Sequence, residues 1–500
     1  MMPGHQVLIR TALAIVLLAV ISHTRADPDL WGHVVFGKDM LSTASIPQTD
    51  SYSFTSDRMW INHEWMAECV MYLAFAIGGG IGLVVLKMLV VFATVGLVWA
   101  ELRRQQVDSA TRDLLIALTV VGTFPQVNHV RPQIFSIVAF AILIWILVSG
   151  GSLRRLLLIP LVFAAWVNFH GGWIVGGGVL AMWAMLSLPS SVSREEKSAL
   201  FLAGAMALVG TLANPYGWRM WQFLTSTVGF GRPEITDWQP LYRLGGGYLA
   251  LWAVLALVAL VGAIRSWRSR QWELRRLGVV VVLGLASFQV GRLLAFFAIA
   301  VVLLLGRDLA ASLSAWRGAS RSRGQSPKRL ATVLAVAIAA TLIIGGAVVS
   351  ASNLTCVRME ADQSEPEVVA LVKQRELRGR LVVWFDWGEY AIWHFAPALR
   401  VSIDGRRETV FTDQVMQKHL NFYYVPASKE EFLAETKPDH IWLLADLPVV
   451  SSLIADGWQP LYRGPRSVWL TRDARGVDGE AGTQESQISV ENIRRCFPGP

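Results

Sequence analysis

Apolar runs recur from Leu8 to Ser350, and short polar stretches separate them. They fall near 8–24, 69–100, 114–124, 134–149, 156–168, 173–189, 198–213, 246–264, 277–290, 293–306 and 331–350. Unbroken apolarity over such lengths predicts about eleven membrane helices. Several runs are shorter than the roughly 20 residues that a lipid-facing span needs. Those are expected to be tilted helices, half-spans, or helices that end in protein-lined cavities. The glycine-rich stretch Ile77–Gly82 is where the long second run can divide. The first run reads either as a signal peptide ending Thr24-Arg25-Ala26 or as an uncleaved first helix, and the helix is expected because so many spans follow.

Beyond Ser350 the periodicity changes. Arg380–Phe395 and Leu399–Phe411 read as strands around a turn at Asp404-Gly405, and Lys437–Asp446 as another strand. Ser364–Leu377 and Ser428–Lys437 read as helices with acidic first turns. The chain therefore divides into a helical membrane part, 1–350, with outer loops 25–68 and 214–245, and an extracytoplasmic α/β domain, 351–500. Its tail from Asp473 to Gln487 is polar and expected to be loose.

Composition sharpens this. Of 500 residues, 53% are hydrophobic and 16% charged, and the mean hydropathy is +0.44. A soluble protein would carry about a quarter charged residues, so the class is an α-helical polytopic membrane protein. The net charge of +8 does not indicate nucleic acid as a partner. The basic residues sit in short loops between apolar runs, the habit of cytoplasmic membrane loops. The clusters are Arg103, Arg104 and Arg112; Arg154 and Arg155; Arg265 through Arg276; and Arg317 through Arg329. Placing all four inside puts the amino terminus in the cytoplasm and the carboxy-terminal domain on the periplasmic or extracellular face of the inner membrane. The chain contains no P-loop, dinucleotide fingerprint or CxxC.

The same threading gathers unusual polar residues at the outer ends: Asp27, Asp29, His33, His63, Glu64, Asn128, His129, Arg131, Asn168, His170, Asn214, Gln289 and Arg292. Ionisable groups at membrane depth are costly and usually functional. Helix capping and an Asp-Pro turn explain one of Asp27 and Asp29 well, two less well. A partly desolvated carboxylate near another has a raised pKa and suits a general base or a cation ligand. Trp31 and His33 follow it, and "INHEWMAE" (Ile61–Glu68) brings a second acidic group. Arg131, before Pro132, and Arg292, in "GRLLAFF", either snorkel to headgroups or bind a lipid phosphate through the guanidinium fork. Asn168 and His170 either satisfy freed backbone groups or serve chemistry. "NPYGW" (Asn214–Trp218) reads as a helix stop before an interfacial segment. Cys356 and Cys496 bracket the outer domain and are candidates for a disulfide, while Cys69 begins a membrane run.

Taken in order, "DPDLWGH", "INHEWMAE", "NHVRPQIFS", "WVNFHGGW", "NPYGW" and "FDWGEY...SIDGRRE" resemble a bacterial group within the GT-C glycosyltransferase superfamily, similar to RgtA/B/C/D-like and dolichyl-phosphate-mannose-type enzymes. The resemblance implies an inverting transfer of a sugar from a polyprenyl-phosphate donor to a glycan, lipid or protein acceptor at the outer face of the membrane. By it, Asp27 or Asp29 is the base, His63 and Glu64 support it, and Trp31, His33, His170, Arg131 and Arg292 meet substrate, the two arginines at the phosphate. The need for Mg²⁺ or Mn²⁺ is left open, with Asp27 and Asp29 as the ligands if a metal is used. Gly32 departs from the group, which usually has a second aromatic residue there. A transporter or flippase, and a non-catalytic envelope assembly protein, are the competing readings.

Overall fold

The computed structural model describes residues 3–149, 153–227, 236–321, 329–360, 362–363, 365–472 and 496–499. The tail expected to be loose lies outside them. The described residues fall into two compact units, one of 1–24 with 83–355, the other of 25–82 with 356–500. The first outer loop thus belongs with the carboxy-terminal residues and not with the helical part to which the apolar pattern assigned it.

The first unit is helical. Along the chain, α1 spans Pro3–Ser22 and is followed by α2 (Leu30–Thr43), α3 (Trp65–Arg104), α4 (Ser109–Val127) and α5 (Gln133–Val148). Of these, α2 and the start of α3 fall in the second unit. Every apolar run of the sequence lies on a helix. Among the described residues, four helices are long and apolar enough to cross a membrane: Trp65–Arg104, Gly246–Arg268, Gly291–Arg317 and Leu334–Leu354. The helix Leu294–Arg321 is apolar all round, and its residues from Leu294 to Leu305 are buried, as expected for a helix surrounded by others. α1 runs against the helix Arg329–Leu354, where Asn353 Nδ2 donates to Ala19 O at 3.2 Å. A Cβ at Gly346 would stand 2.8 Å from Ile15 Cγ2, so this contact needs a glycine. α3 is broken at Gly79 (φ 57°, ψ −143°), a conformation that suits glycine, and the glycine run is indeed where the helix divides.

The second unit is built on a five-stranded sheet, β1 (Gly379–Val383), β2 (Leu399–Val401), β3 (His440–Leu444), β4 (Gln459–Arg463) and β5 (Ser467–Thr471), in the order β2-β1-β3-β5-β4. β1 pairs in parallel with β2 and β3, and β5 runs antiparallel to β3 and β4. Side-chain alternation fills both faces. Ile441 and Leu443 join Phe422, Phe432, Leu453 and Trp458 in one apolar cluster. Trp442 points the other way, stacked 4.8 Å from Trp387.

Arg380–Phe395, read from sequence as one strand, is a strand only to Val383. It continues as a helix over Gly388–Phe395. The reason is spacing: Trp387, Tyr390 and Ala391 are all buried, a three-and-four rhythm that only a helix aligns. Likewise Leu399–Val401 is a short strand, and Arg407–Val410 a single helical turn.

The first loop joins this sheet by its backbone. Phe54 N–H donates to Val401 O and Val401 N–H to Tyr52 O, both at 3.0 Å. Ala26 N–H donates to Arg358 O at 2.7 Å. A disulfide between Cys356 and Cys496 closes the ends of the carboxy-terminal part.

Candidate active site

The aspartate pair resolves into two roles. Asp27 Oδ1 accepts the N–H of Asp29 at 3.2 Å and is buried, an Asx turn that leads the chain into α2. Asp29 is the N-cap residue of α2, yet its side chain makes no capping bond. Its Oδ1 instead faces the carboxy-terminal residues, 2.0 Å from where a Cβ on Gly405 would stand. The Asx turn therefore accounts for Asp27, while Asp29 turns its carboxylate toward the carboxy-terminal residues.

One turn into α2, His33 Nδ1–H donates to Glu68 Oε1 at 3.1 Å, and Asn62 Nδ2 donates to the second Glu68 oxygen. Burial alone would lower the imidazole pKa, but the bond to Glu68 and the charges of Glu64, Glu68 and Asp29 lift it to about 9. His33 is thus a cation at neutral pH. His63 Nε2 lies 3.5 Å from Glu64 Oε1. Among the described residues, His33, Glu64 and Glu68 form the group able to hold a metal ion, with their ligand atoms within 4.8 Å of one another. Asp27 and Asp29, the sequence candidates for that role, are not in it.

Trp31 is buried. Its Nε1 donates to Pro498 O at 2.8 Å, and its ring meets Tyr390 and Phe497. It packs as a core residue, so the sugar contact expected of it has no open face. Gly32, the departure noted in the sequence, has a physical reason: a Cβ there would lie 2.1 Å from Glu389 Oε2, which accepts the Gly32 N–H at 3.1 Å.

Behind this stands a buried charge network. Arg406 gives Nε and Nη2 to Asp404 and Nη1 to Asp50 at 2.7 Å, and lies over the rings of Phe36, Tyr52 and Trp60. Burial would lower the guanidinium pKa, but the two carboxylates more than reverse that.

The arginine candidates form a second cluster, in the helical unit. Arg292 Nε donates to Gln133 Oε1 and Nη2 to His170 Nε2, both at 3.0 Å. His170 Nδ1 meets Ser136 Oγ at 2.7 Å, and the same oxygen accepts Trp166 Nε1–H. Arg131 is ion-paired with Asp237, and Arg292 lies over the ring of Trp238, 5.7 Å away. One short turn, Thr236–Trp238, thus serves both arginines. Asn168 Nδ2 satisfies the carbonyls of Ala164 and Ala213, each at 2.8 Å, a structural task. Asn214 likewise ends a helix, donating to Thr211 O and accepting the Tyr216 N–H.

Sequence reasoning missed Glu389, Glu68, Asp237, Gln133 and Ser136. Glu68 lay inside a quoted motif and Glu389 in "FDWGEY". Nothing along the chain marked Asp237 as the partner of Arg131.

No family model matches the chain, and no curated protein matches it by sequence. Its fold is matched by the crystal structure of ArnT from Cupriavidus metallidurans bound to undecaprenyl phosphate. The TM-score is 0.55 at 11% identity, over 95% of this chain and 99% of that one. ArnT in the apo state gives 0.57 at 11% identity, over 95% and 98%. The mycobacterial arabinofuranosyltransferase AftD gives 0.53 at 12% identity, over 94% of this chain and 40% of that one. The chain has the GT-C fold that its ordered motifs implied.

Proposed function

We propose that this membrane protein is a glycosyltransferase that moves a sugar from a polyprenyl-phosphate donor to a hydroxyl of an envelope acceptor at the outer face of the membrane. The observation that carries the reading is the likeness, along nearly the whole chain, to a structure whose ligand is undecaprenyl phosphate. Asp29 is the base: its carboxylate, turned toward Gly405, takes the acceptor proton as the oxygen attacks the anomeric carbon. The bond from that carbon to the phosphate oxygen breaks, with inversion, and the polyprenyl phosphate leaves with both electrons. Arg292 and Arg131 are the groups that would neutralise the phosphate.

A divalent cation would be held by His33, Glu64 and Glu68, and it would take the place of the His33 proton. One imidazole with two carboxylates suits Mn²⁺ or Zn²⁺ better than Mg²⁺, which prefers oxygen ligands alone.

The test is transfer of labelled sugar from the membrane's lipid-linked pool to envelope material, with full-length variants. Asp29→Asn is expected to lose at least about a hundredfold, and Asp27→Asn much less. Wild-type transfer by Asp29→Asn would remove the proposal.

A further inference from the structure

Glu389 stands in the first turn of the helix Gly388–Phe395, buried, with no ion-pair partner among the described residues. Buried carboxylates are normally paired with a guanidinium or ammonium. The guanidinium nearby, Arg406, is committed to Asp404 and Asp50. What Glu389 meets instead is backbone and another carboxyl group. Its Oε2 accepts the Gly32 N–H at 3.1 Å. Its Oε1 lies 3.1 Å from the position of a Cβ on Gly405, and Asp29 Oδ1 lies 2.0 Å from that same point. Three glycines from three segments make this approach feasible. Side chains at Gly32 and Gly405 would overlap these carboxyl oxygens, and one at Gly388 would strike Ile403 O at 2.3 Å.

We propose that Glu389 is the positioning residue of Asp29: anchored by Gly32 and facing Asp29 across Gly405, it keeps a proton and turns it toward the Asp29 carboxylate, fixing that carboxylate in one orientation. The proposal rests on the reading of Asp29 as the base. A buried carboxyl group that faces another carboxyl group holds its proton more tightly. The charged groups facing Glu389 are Asp29, Asp404, Arg406 and Glu68, three of them negative. Burial first, then Asp29 and Asp404, hold its acid well above the usual carboxyl range. A hydrogen bond donated by the Glu389 acid would favour the charged form of Asp29. The pair is thereby split into one ionised group that accepts a proton and one neutral group that orients it.

The experiment uses the full chain in lipid nanodiscs and follows the infrared carbonyl stretch of protonated carboxyl groups as pH is raised. A band present at neutral pH in the wild type is expected to vanish in Glu389→Gln. In Asp29→Asn the band is expected to titrate away at lower pH, since the facing charge is gone. Transfer activity is read in parallel. Glu389→Gln, whose amide still donates, should keep activity within about tenfold, whereas Glu389→Ala falls further. The proposal is overturned if Glu389→Gln removes no band at neutral pH, or if the Gln and Ala variants lose transfer equally. An inactive Asp29→Asn beside a fully active Glu389→Ala sinks the positioning role alone. A fully active Asp29→Asn sinks the base reading, and the role with it.

Discussion

Gly32 and Glu389, 357 residues apart, are locked together: the Gly32 N–H donates to Glu389 Oε2 at 3.1 Å, and a methyl group at Gly32 would lie 2.1 Å from that oxygen. Because α2 and the helix Gly388–Phe395 pack directly here, there is no slack to absorb it. Gly32→Ala is expected to destabilise the carboxy-terminal unit by about 1–3 kcal/mol, the usual cost of overpacking, read as a lowered Tm. Adding Glu389→Ala should return part of that loss, because the two sites are coupled. An unchanged Tm in Gly32→Ala would show that the two segments can separate at no cost.

That contact also shows where the sequence stopped being readable. The helical part was legible because each helix must bury or present an apolar face, and that need is written locally; even the break at Gly79 announced itself as a glycine run. The ownership of residues 25–82 was not legible. Their partners lie some three hundred positions away, and a backbone pairing such as Tyr52 with Val401 leaves no mark on side-chain pattern. The site was half legible for the same reason. Asp29, His33, Glu64 and Arg292 stood out as polar residues beside apolar runs, whereas Asp237 and Glu389 acquire meaning only from what faces them.

Arg406 is expected to be the most sensitive single side chain of the carboxy-terminal unit. Its loss leaves Asp50 and Asp404 buried without a counter-charge and empties an aromatic box whose rings lie 4.6–5.3 Å from the guanidinium. Removing one partner of a buried ion network costs about 3–5 kcal/mol. Arg406→Met should fall in that range by thermal unfolding and make residues 44–60 protease-sensitive. Arg406→Lys should recover only part, since an ammonium cannot fork to two carboxylates. Full recovery by lysine would mean that charge alone matters here.

Acid should loosen the same unit through two histidines. Burial lowers His419 to about 4, outweighing the bond to the Val415 carbonyl, and burial with the charge of Lys373 lowers His394 to about 4. Both are neutral in the folded unit and take up protons more readily once it unfolds. The unfolded state therefore binds more protons between about pH 6.5 and 4. Stability is complete above about 6.5, falls as pH drops towards 4 and levels off below. Every tenfold difference in proton affinity between the folded and unfolded chain is worth at most about 1.4 kcal/mol. His419→Phe, which keeps a ring against Phe432, should flatten this limb in a pH series of melting curves. A limb of unchanged slope would assign the acid loss to other groups.

The last prediction separates the two arginines. Arg131 already holds a carboxylate, Asp237, so an arriving lipid phosphate must compete with that anion. Arg292 donates to Gln133 and His170, with Trp238 beneath it. The two should respond oppositely to a change in their neighbours when binding of undecaprenyl phosphate to the reconstituted chain is measured, with undecaprenol as the uncharged control. Asp237→Asn removes a competitor and should tighten binding several-fold, by an amount that Arg131→Ala cancels. Arg292→Lys forfeits one of two oriented donors. A hydrogen bond to a charged group is worth about 1.5–3 kcal/mol, so the affinity should drop about ten- to a hundredfold. If both variants bind as the wild type does, or if undecaprenol binds equally well, neither guanidinium meets the phosphate. The polar cluster at Arg292 would then be a means of closing helix ends around Ser136 and His170.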